Sequence, residues 1–232
     1  CGDDCANSFT DDFSGHTDGP LSGPLWQTPV NLPGEFGDQG QAQVTASGLV
    51  CSIDGDLPGG DHNQYASPVL ACFDASTSVT VETPFTVAEP SGFILTHGYN
   101  GDVVLTTSGI NIYAGAVAIL KRDNDVQNLD ADARLLLLES TAANPFGVPM
   151  GQSPGFQLAE GATYVLETTA DLNANTLTVS VLTPGGALVG SLGPVTFAAP
   201  IPADSFAFSV NGLGFPGDGQ LVCVDSYTLT GQ

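Results

Sequence analysis

The sequence predicts an all-β fold built from two packed antiparallel sheets, and three observations lead to this prediction. Hydrophobic and polar residues alternate with a period of two from about residue 43 to the end of the chain, without helical periodicity. The 232 residues include 29 Gly and 16 Pro beside many Val, Thr, Leu and Phe, which is typical of short strands joined by tight turns. No stretch approaches the roughly 20 apolar residues that cross a bilayer.

The expected strands follow one another along the chain, and Gly, Pro, Asn and Asp separate them. They are, in order, Phe9–Phe13, Gly48–Ile53, Pro68–Phe73, Ser78–Val87, Gly92–Thr96, Val103–Thr107, Asn111–Leu120, Ala133–Glu139, Thr163–Thr169, Thr176–Leu182, Ser205–Val210 and Leu221–Thr230. Many short strands with regularly spaced turns are typical of a two-sheet sandwich. We expect residues 1–8 to form an N-terminal tether or arm and residues 9–232 to form a single sandwich domain.

The charge balance excludes several classes of partner. The chain has 25 acidic residues against three basic ones, Lys121, Arg122 and Arg134, and a formal net charge of -22. A surface of this charge repels the phosphate backbone of nucleic acids and the head groups of anionic membranes. It also suits salty surroundings, because screening reduces the repulsion between the acidic groups.

Both ends of the chain carry motifs of a known group. Thr10-Asp11-Asp12-Phe13, followed by Leu21–Trp26, resembles the opening "D-x-F … L-G-x-x-W" pattern of concanavalin A-like and laminin-G-like jelly-roll domains of bacterial surface proteins and phage virion proteins. Leu221–Leu229 resembles their terminal strand. The resemblance implies an antiparallel jelly-roll sandwich in which the first and last strands pair. It leaves function open, because this sandwich carries lectins, hydrolases, lyases and structural parts.

The five cysteines allow more than one interpretation. Cys51 and Cys72 lie in two expected strands that flank a polar loop, so they either form a disulfide across that loop or are small buried residues. Cys1 is explained equally by cleavage of a lipoprotein signal peptide, which leaves a lipidated cysteine, and by removal of an initiator methionine.

Polar and aromatic residues in two loops are the candidate ligand contacts. The loops are Asp54 to Tyr65 and His97 to Asp102, and we expect Tyr65, Tyr99, His97 and Asp102 to contact a ligand. Aromatic rings stack on sugars, and binding groups on rigid sandwiches usually lie in loops. We expect the single tryptophan, Trp26, to be a core residue.

Two groups of aspartates are candidate calcium ligands, since calcium takes six to eight oxygen ligands. The first group is the loop with Asp54, Asp56 and Asp61, for which a solvated loop is the alternative explanation. The second is implied by the resemblance. Many carbohydrate-binding sandwiches hold an ion between an aspartate beside the first strand and one in the last, which here are Asp11 or Asp12 and Asp225.

The sequence contains no recognisable catalytic motif. The paired E-x-D-x-x-E or E-x-D-x-E pattern of the hydrolases with this fold is absent, and the six glutamates are isolated from one another in the sequence. We therefore expect a non-enzymatic surface module, either a virion accessory protein of the decoration, fibre or cement type or a cell-surface protein, with glycan binding as a further expectation. The alternative is a secreted or lipid-anchored glycoside hydrolase or lyase of the same fold.

The same interpretation defines location and partners. We expect an extracellular, virion-surface or bacterial cell-surface protein that is oligomeric or part of a larger assembly. Its expected partners are capsid, fibre or cell-surface assembly proteins and a glycan, with no nucleic acid and no membrane-spanning segment.

Overall fold

A computed structural model describes most of the chain. It covers residues 5–21, 24–27, 42–53, 65–68, 70, 72–88, 92–100, 104–105, 111–112, 115–122, 132–141, 144–203, 205–212 and 220–232. Within these residues the regular structure is entirely β, with no helix, and so no helix long and apolar enough to span a membrane. The expected all-β class is confirmed.

Nineteen strands lie within these described residues, and they form two large antiparallel sheets and one small one. The strands are β1 Ser8–Asp11, β2 Gly19–Pro20, β3 Trp26–Gln27, β4 Ala42–Val44, β5 Val50–Ile53, β6 Tyr65–Pro68, β7 Ser78–Val87, β8 Phe93–Asn100, β9 Val104–Leu105, β10 Asn111–Ile112, β11 Gly115–Arg122, β12 Ala133–Thr141, β13 Asn144–Gln152, β14 Thr163–Asp171, β15 Thr176–Leu182, β16 Leu188–Thr196, β17 Ser205–Gly212, β18 Gln220–Val224 and β19 Tyr227–Gly231.

The order of the strands explains how distant segments meet. The ten-stranded sheet runs β16-β15-β14-β7-β18-β5-β4-β2, and β19 pairs with both β7 and β1 at its side. The seven-stranded sheet runs β13-β12-β11-β8-β17-β6-β3, and β9 and β10 form a separate pair. Alternate residues of β7, β12, β14 and β15 are buried, because successive side chains of a strand point to opposite faces. The buried faces of the two large sheets form one hydrophobic core.

The first and last strands pair, as the terminal motifs imply. β1 runs antiparallel to β19, with Ser8 opposite Thr230 and Asp11 opposite Tyr227. The first strand ends at Asp11 rather than at Phe13, because Phe13 takes a positive φ of 58° that turns the chain inward. The ring of Phe13 is fully buried. The Asp11 carboxylate accepts a 2.9 Å hydrogen bond from the Phe13 backbone N–H, a local bond that favours such a turn.

Several expected strands have different bounds. The expected strand Asn111–Leu120 is divided between β10 and β11, and the expected final strand Leu221–Thr230 is divided between β18 and β19. β18 and β19 both pair with β7, at successive positions along it. In the final segment the buried residues change from Val222 and Val224 to Tyr227 and Leu229, so the alternation shifts by one position where β18 ends and β19 begins.

The sequence pattern did not predict two edge strands. β13 and β16 lie at the outer edges of the seven-stranded and ten-stranded sheets. β13 contains Pro145 and Pro149, and β16 contains Gly193 and Pro194. Proline lacks a donor for the ladder and is tolerated at edges, so the residues that weaken the strand pattern also protect these edges from pairing with other chains.

The expected disulfide between Cys51 and Cys72 is wrong. Cys51 bonds to Cys223, which lies directly opposite it where β5 pairs with β18, and Cys72 bonds to Cys5. The two bonds join residues that are 172 and 67 positions apart in the sequence. The pairing of β5 with β18 brings Cys51 and Cys223 side by side, which the sequence does not reveal.

The second disulfide also fixes the beginning of the chain. Residues 5–8 belong to the expected tether or arm. Cys5 is bonded to Cys72, the Ala6 carbonyl accepts a hydrogen bond from Asp74 N, and the Asn7 carbonyl accepts one from Gly231 N. In this part of the segment the backbone is therefore attached to the sandwich.

Candidate functional site

A cleft opens between the two sheets at the end of β12. It has a volume of about 270 Å³. The residues around it come from β11, from the end of β12 and from the segment that follows β16, and they are Gly115, Ala116, Glu139, Ser140, Thr141, Phe197, Ala199, Pro200, Ile201 and Pro202. Apolar groups supply most of this lining, and Glu139 is its one ionisable residue. It is a concave surface of the described residues with room for a small ligand.

Asn175 holds one wall of the cleft from the side of the ten-stranded sheet. It lies in the turn between β14 and β15, where its positive φ of 53° is one that asparagine tolerates. Its side-chain Nδ2 donates to the carbonyls of Phe197 and Ala199 at 2.8 and 2.9 Å, and its Oδ1 accepts from Ile201 N at 2.8 Å. One side chain therefore makes three hydrogen bonds to the backbone of the wall.

Glu139 holds the same wall from the seven-stranded sheet. Its Oε1 accepts hydrogen bonds from Ala198 N at 3.1 Å and from Ala199 N at 2.8 Å. Glu139 lies on the same face of β12 as the buried Leu137, but at the end of the strand where the core opens. Oε1 makes both of these bonds to the wall, and Glu139 also lines the cleft.

These bonds make the cleft a pre-organised site. The segment 197–202 is held by one side chain from each sheet, so the two sheets and the wall are fixed relative to one another. A site whose walls are already ordered loses less conformational entropy on binding.

A second polar feature lies on the outer face of the ten-stranded sheet. Glu82 of β7 stands directly opposite Glu167 of β14. Burial raises the pKa of the Glu167 carboxyl, and the neighbouring Glu82 raises it further. Hydroxyl residues surround the pair: Thr228 is opposite Glu82, and Ser180 is opposite Glu167. These two glutamates, 85 positions apart in the sequence, are therefore not isolated from one another in space.

Two of the expected ligand residues are in the core. His97 and Tyr99 lie within β8 and are fully buried. His97 Nε2 is 2.6 Å from the Thr83 hydroxyl and its Nδ1 is 3.2 Å from the Thr168 hydroxyl, while Tyr99 Oη lies 2.7 Å from the same Thr168 oxygen. The expected contact of these rings with a surface ligand is therefore wrong. Both lie on the inward-pointing face of the strand, where they form a polar network with two threonines.

The other two expected ligand residues are not tested. Tyr65 lies in β6, but its side chain is outside the described residues, as is the whole of Asp102. Their contact with a ligand stays a prediction.

The aspartates near the chain ends do not fit a calcium site. Asp11 is buried, and its Oδ2 accepts from Trp26 Nε1 at 2.5 Å and contacts His16 Nε2 at 2.7 Å, while Oδ1 accepts from Phe13 N. Three of the roughly four acceptor sites of the carboxylate are thus occupied. The exposed Asp12 receives both hydrogen bonds of Ser14, which lower its pKa.

Asp225, which lies between β18 and β19, does not supply the missing calcium ligand. Burial raises the pKa of the Asp225 carboxyl, which disfavours its charged form. No group of three potential ligands occurs in the described part of the chain. The expected ion between Asp11 or Asp12 and Asp225 is therefore not supported, because the protein's own donors satisfy Asp11. Asp54, Asp56 and Asp61 lie outside the described residues, so calcium in that loop stays a prediction.

Sequence reasoning missed the residues that form the cleft. Asn175 reads as part of a turn, which it is, whereas Glu139 reads as a solvent-facing strand residue and instead lies on the same face of β12 as Leu137. The one available signal is the unusual segment after Thr196, in which Pro200 and Pro202 follow three apolar residues. Such a segment is too stiff and too apolar for an ordinary surface loop.

Comparison with known proteins gives relatives in structure but not in sequence. No family of known proteins matches the chain, and no curated protein matches it. Lectin II from Ulex europaeus is 12% identical, with 98% of this chain and 99% of the lectin covered and a TM-score of 0.59. The CBM2 module of the evolved Dit of Lactobacillus casei BL23 phage J-1 is 11% identical, with 96% and 95% covered and a TM-score of 0.59.

A third solved structure has a similar fold. The exoplasmic/lumenal domain of VIP36, in a Ca²⁺/Man-bound form, is 13% identical, with 97% of this chain and 90% of that domain covered and a TM-score of 0.55. At such low identity these likenesses establish the fold alone. Together with the paired terminal strands and the two large antiparallel sheets, they show that this chain has the concanavalin A-like jelly-roll fold.

Proposed function

We propose that the protein is a non-enzymatic glycan-binding module that acts outside the cell, on a bacterial or virion surface. The observation that carries this proposal is the cleft whose wall is held by Asn175 from one sheet and by Glu139 from the other. The fold supports it, since a lectin and a phage module share the same architecture. The two disulfides are also typical of proteins that fold in an oxidising compartment.

The electrostatics restrict the type of glycan. A net charge of -22 and a carboxylate inside the cleft disfavour sugars with carboxylate or sulfate groups. A volume of about 270 Å³ is near the lower end of small-molecule sites, which begin at roughly 300 Å³. The cleft therefore suits one neutral sugar residue, or one substituent of it, at the end or side of a longer chain.

A glycan array followed by titration calorimetry tests the function. We expect binding of neutral glycans by the wild type and its loss in Ala199→Phe, which places a ring at the mouth of the cleft. Ala187→Phe is the matched control, because Ala187 is exposed in the turn at the opposite end of β15 from Asn175. If the array gives no signal for any glycan, the proposed function is refuted; if both variants bind as the wild type does, its assignment to the cleft is refuted.

The assembly role is a finer part of the same proposal. We propose that the module belongs to a larger assembly of capsid, fibre or cell-surface proteins. Light scattering after size exclusion tests self-association of the isolated chain, and a monomer at all concentrations would restrict the proposal to partners other than itself.

The Glu82–Glu167 pair favours a second candidate function, that of a glycoside hydrolase. Directly opposed residues of antiparallel strands have Cβ atoms about 4.5–5.5 Å apart, and retaining glycosidases use carboxyl groups about 5–5.5 Å apart. The raised pKa of Glu167 suits a general acid, and Glu82 would be the nucleophile. Against this, the pair lies on a sheet face rather than in the cleft.

Hydrolysis of neutral polysaccharides by the wild type would identify the enzyme. In that case Glu167→Gln should lower the rate at least 100-fold. Glu160→Gln, an exposed residue in the loop before β14, is the control with the same change of charge. Product formation that is equal in all three proteins would come from a contaminant, and no product from any of them removes this candidate.

A further inference from the structure

We propose that the cleft accepts the acetamido group of a neutral N-acetylated amino sugar, an inference that rests on the proposed glycan-binding function. An acetamido group combines an apolar methyl with an N–H donor and a carbonyl acceptor in one small planar unit. The cleft presents a matching combination of an apolar wall, one carboxylate oxygen and hydroxyl residues.

The apolar wall is the complement of the methyl. Ala116 and Ile201 are nearly fully buried at the base of the cleft, and Pro200 and Pro202 complete its side. Phe197 is 4% exposed, so its ring is covered and is not a platform on which a sugar could stack. A methyl group that leaves water for such a wall is stabilised by the burial of its apolar surface.

The carboxylate of Glu139 is the complement of the N–H donor. Oε1 is already bound to Ala198 N and Ala199 N, which fixes the orientation of the carboxylate. In this proposal Oε2 accepts from the ligand, so the ligand must supply a donor there. Ser140, which also lines the cleft, has a hydroxyl of the type that donates to a carbonyl.

Other sugar groups match the cleft less well. A plain hydroxyl in place of the acetamido group leaves the apolar wall uncovered. A free ammonium would pair with Glu139 but would lose its hydration against Pro200 and Ile201, which is costly for a charged group. Acidic sugars are repelled by the protein's net charge of -22. Of these four groups, the acetamido group is the one that complements both the wall and the carboxylate.

The test compares two trisaccharides that differ only in this group, triacetylchitotriose and cellotriose. In calorimetry we expect the acetylated sugar to bind at least ten-fold more tightly. In saturation-transfer NMR we expect its acetyl methyl protons to receive the largest transfer from the protein. The weaker binding of cellotriose measures the loss of the contacts that the acetamido group makes.

Glu139→Gln tests the assigned oxygen. The glutamine carbonyl oxygen can still accept from Ala198 N and Ala199 N and keep the wall in place, but its NH₂ then faces the ligand N–H. We expect a 10- to 100-fold loss of affinity for triacetylchitotriose, the range for a hydrogen bond to a charged group. The control, Glu160→Gln, should bind as the wild type does.

The outcomes separate this inference from the proposed function. If cellotriose binds as tightly as triacetylchitotriose and Ala199→Phe abolishes both, the glycan-binding function stands and the acetamido assignment is overturned. If the acetylated sugar is preferred but neither Glu139→Gln nor Ala199→Phe weakens it, the assignment to this cleft is overturned. If no glycan binds at all, both proposals fall.

Discussion

Trp26 Nε1 donates a 2.5 Å hydrogen bond to Asp11 Oδ2, and both residues are buried. This bond joins the two motifs at the start of the chain. Asp11 ends β1, and Trp26 packs edge-on against Phe9 and Tyr227, so the bond connects the terminal strand pair to the aromatic part of the core. The opening pattern of the sequence is thus a structural lock rather than a calcium site.

The first prediction concerns this lock. Asp11→Asn replaces one acceptor oxygen with NH₂ and should lower the free energy of unfolding by about 1.5–3 kcal/mol, the range for hydrogen bonds to a charged group. Denaturant unfolding followed by the fluorescence of Trp26, the single tryptophan, measures the change at its site. Asp12→Asn is the control, because Asp12 is exposed and should change stability by less than about 0.5 kcal/mol. Equal effects of the two variants would contradict the assignment.

The second prediction concerns acid stability. Burial lowers the pKa of His97 to about 3, whereas an unfolded histidine has a pKa near 6.5. Between these values the unfolded chain binds the proton that the folded chain excludes. Stability is therefore full above about pH 6.5 and falls as the pH decreases towards 3, with a slope of up to about 1.4 kcal/mol per pH unit.

His97→Gln should remove most of this slope between pH 5 and 6.5, where few carboxylates titrate. Its amide can still donate and accept within the threonine network. Urea midpoints at a series of pH values provide the measurement, and parallel curves for the wild type and His97→Gln would show that His97 does not cause the acid lability.

The third prediction concerns the disulfides. Peptide mapping without reduction should recover Cys51 with Cys223 and Cys5 with Cys72, and a Cys51–Cys72 peptide would contradict the structure. Replacing Cys51 and Cys223 together by serine should cost about 2–5 kcal/mol, because the bond closes most of the chain into a loop. The Cys5–Cys72 bond closes a shorter loop. In the chain-entropy account, replacing Cys5 and Cys72 together by serine should therefore cost somewhat less.

The fourth prediction concerns a buried arginine. Arg122 is 4% exposed, and its Nε and Nη1 have no hydrogen-bond partner in the described part of the structure. Arg122 and Leu120 are two positions apart in β11, and both lie on its inward face. Two buried guanidinium donors without a partner among the described residues are unfavourable, so Arg122→Met should increase the free energy of unfolding by about 1–4 kcal/mol.

Arg134→Met is the control for this change. Arg134 is exposed on the neighbouring strand and should have an effect within about 0.5 kcal/mol. Thermal unfolding of both variants decides the question. A loss of about 3–5 kcal/mol in Arg122→Met would contradict the prediction, since it would mean that a carboxylate pairs with the guanidinium.

The sequence by itself determined the fold class and the strongest strands. The bounds expected for Ser78–Val87 and Thr176–Leu182 are those of β7 and β15. In these segments the alternation is regular and the hydrophobic face is buried against the other sheet. Period-two alternation is a local property, since it depends only on which face of one strand is buried, and so it can be read without knowledge of the neighbours. The pairing of the terminal strands followed from the motifs at the two ends.

Only the tertiary structure decided which segments are neighbours. The opposition of Glu82 and Glu167, the bond of Cys51 to Cys223 and the hold of Asn175 on the wall each join positions that are far apart in the chain. Each depends on the order and register of strands, and a shift of one residue would exchange the two faces of a strand. That order is fixed by the packing of the whole core, because no local pattern specifies a partner. The sequence pattern therefore did not predict the cleft, because the cleft depends on which strands are neighbours.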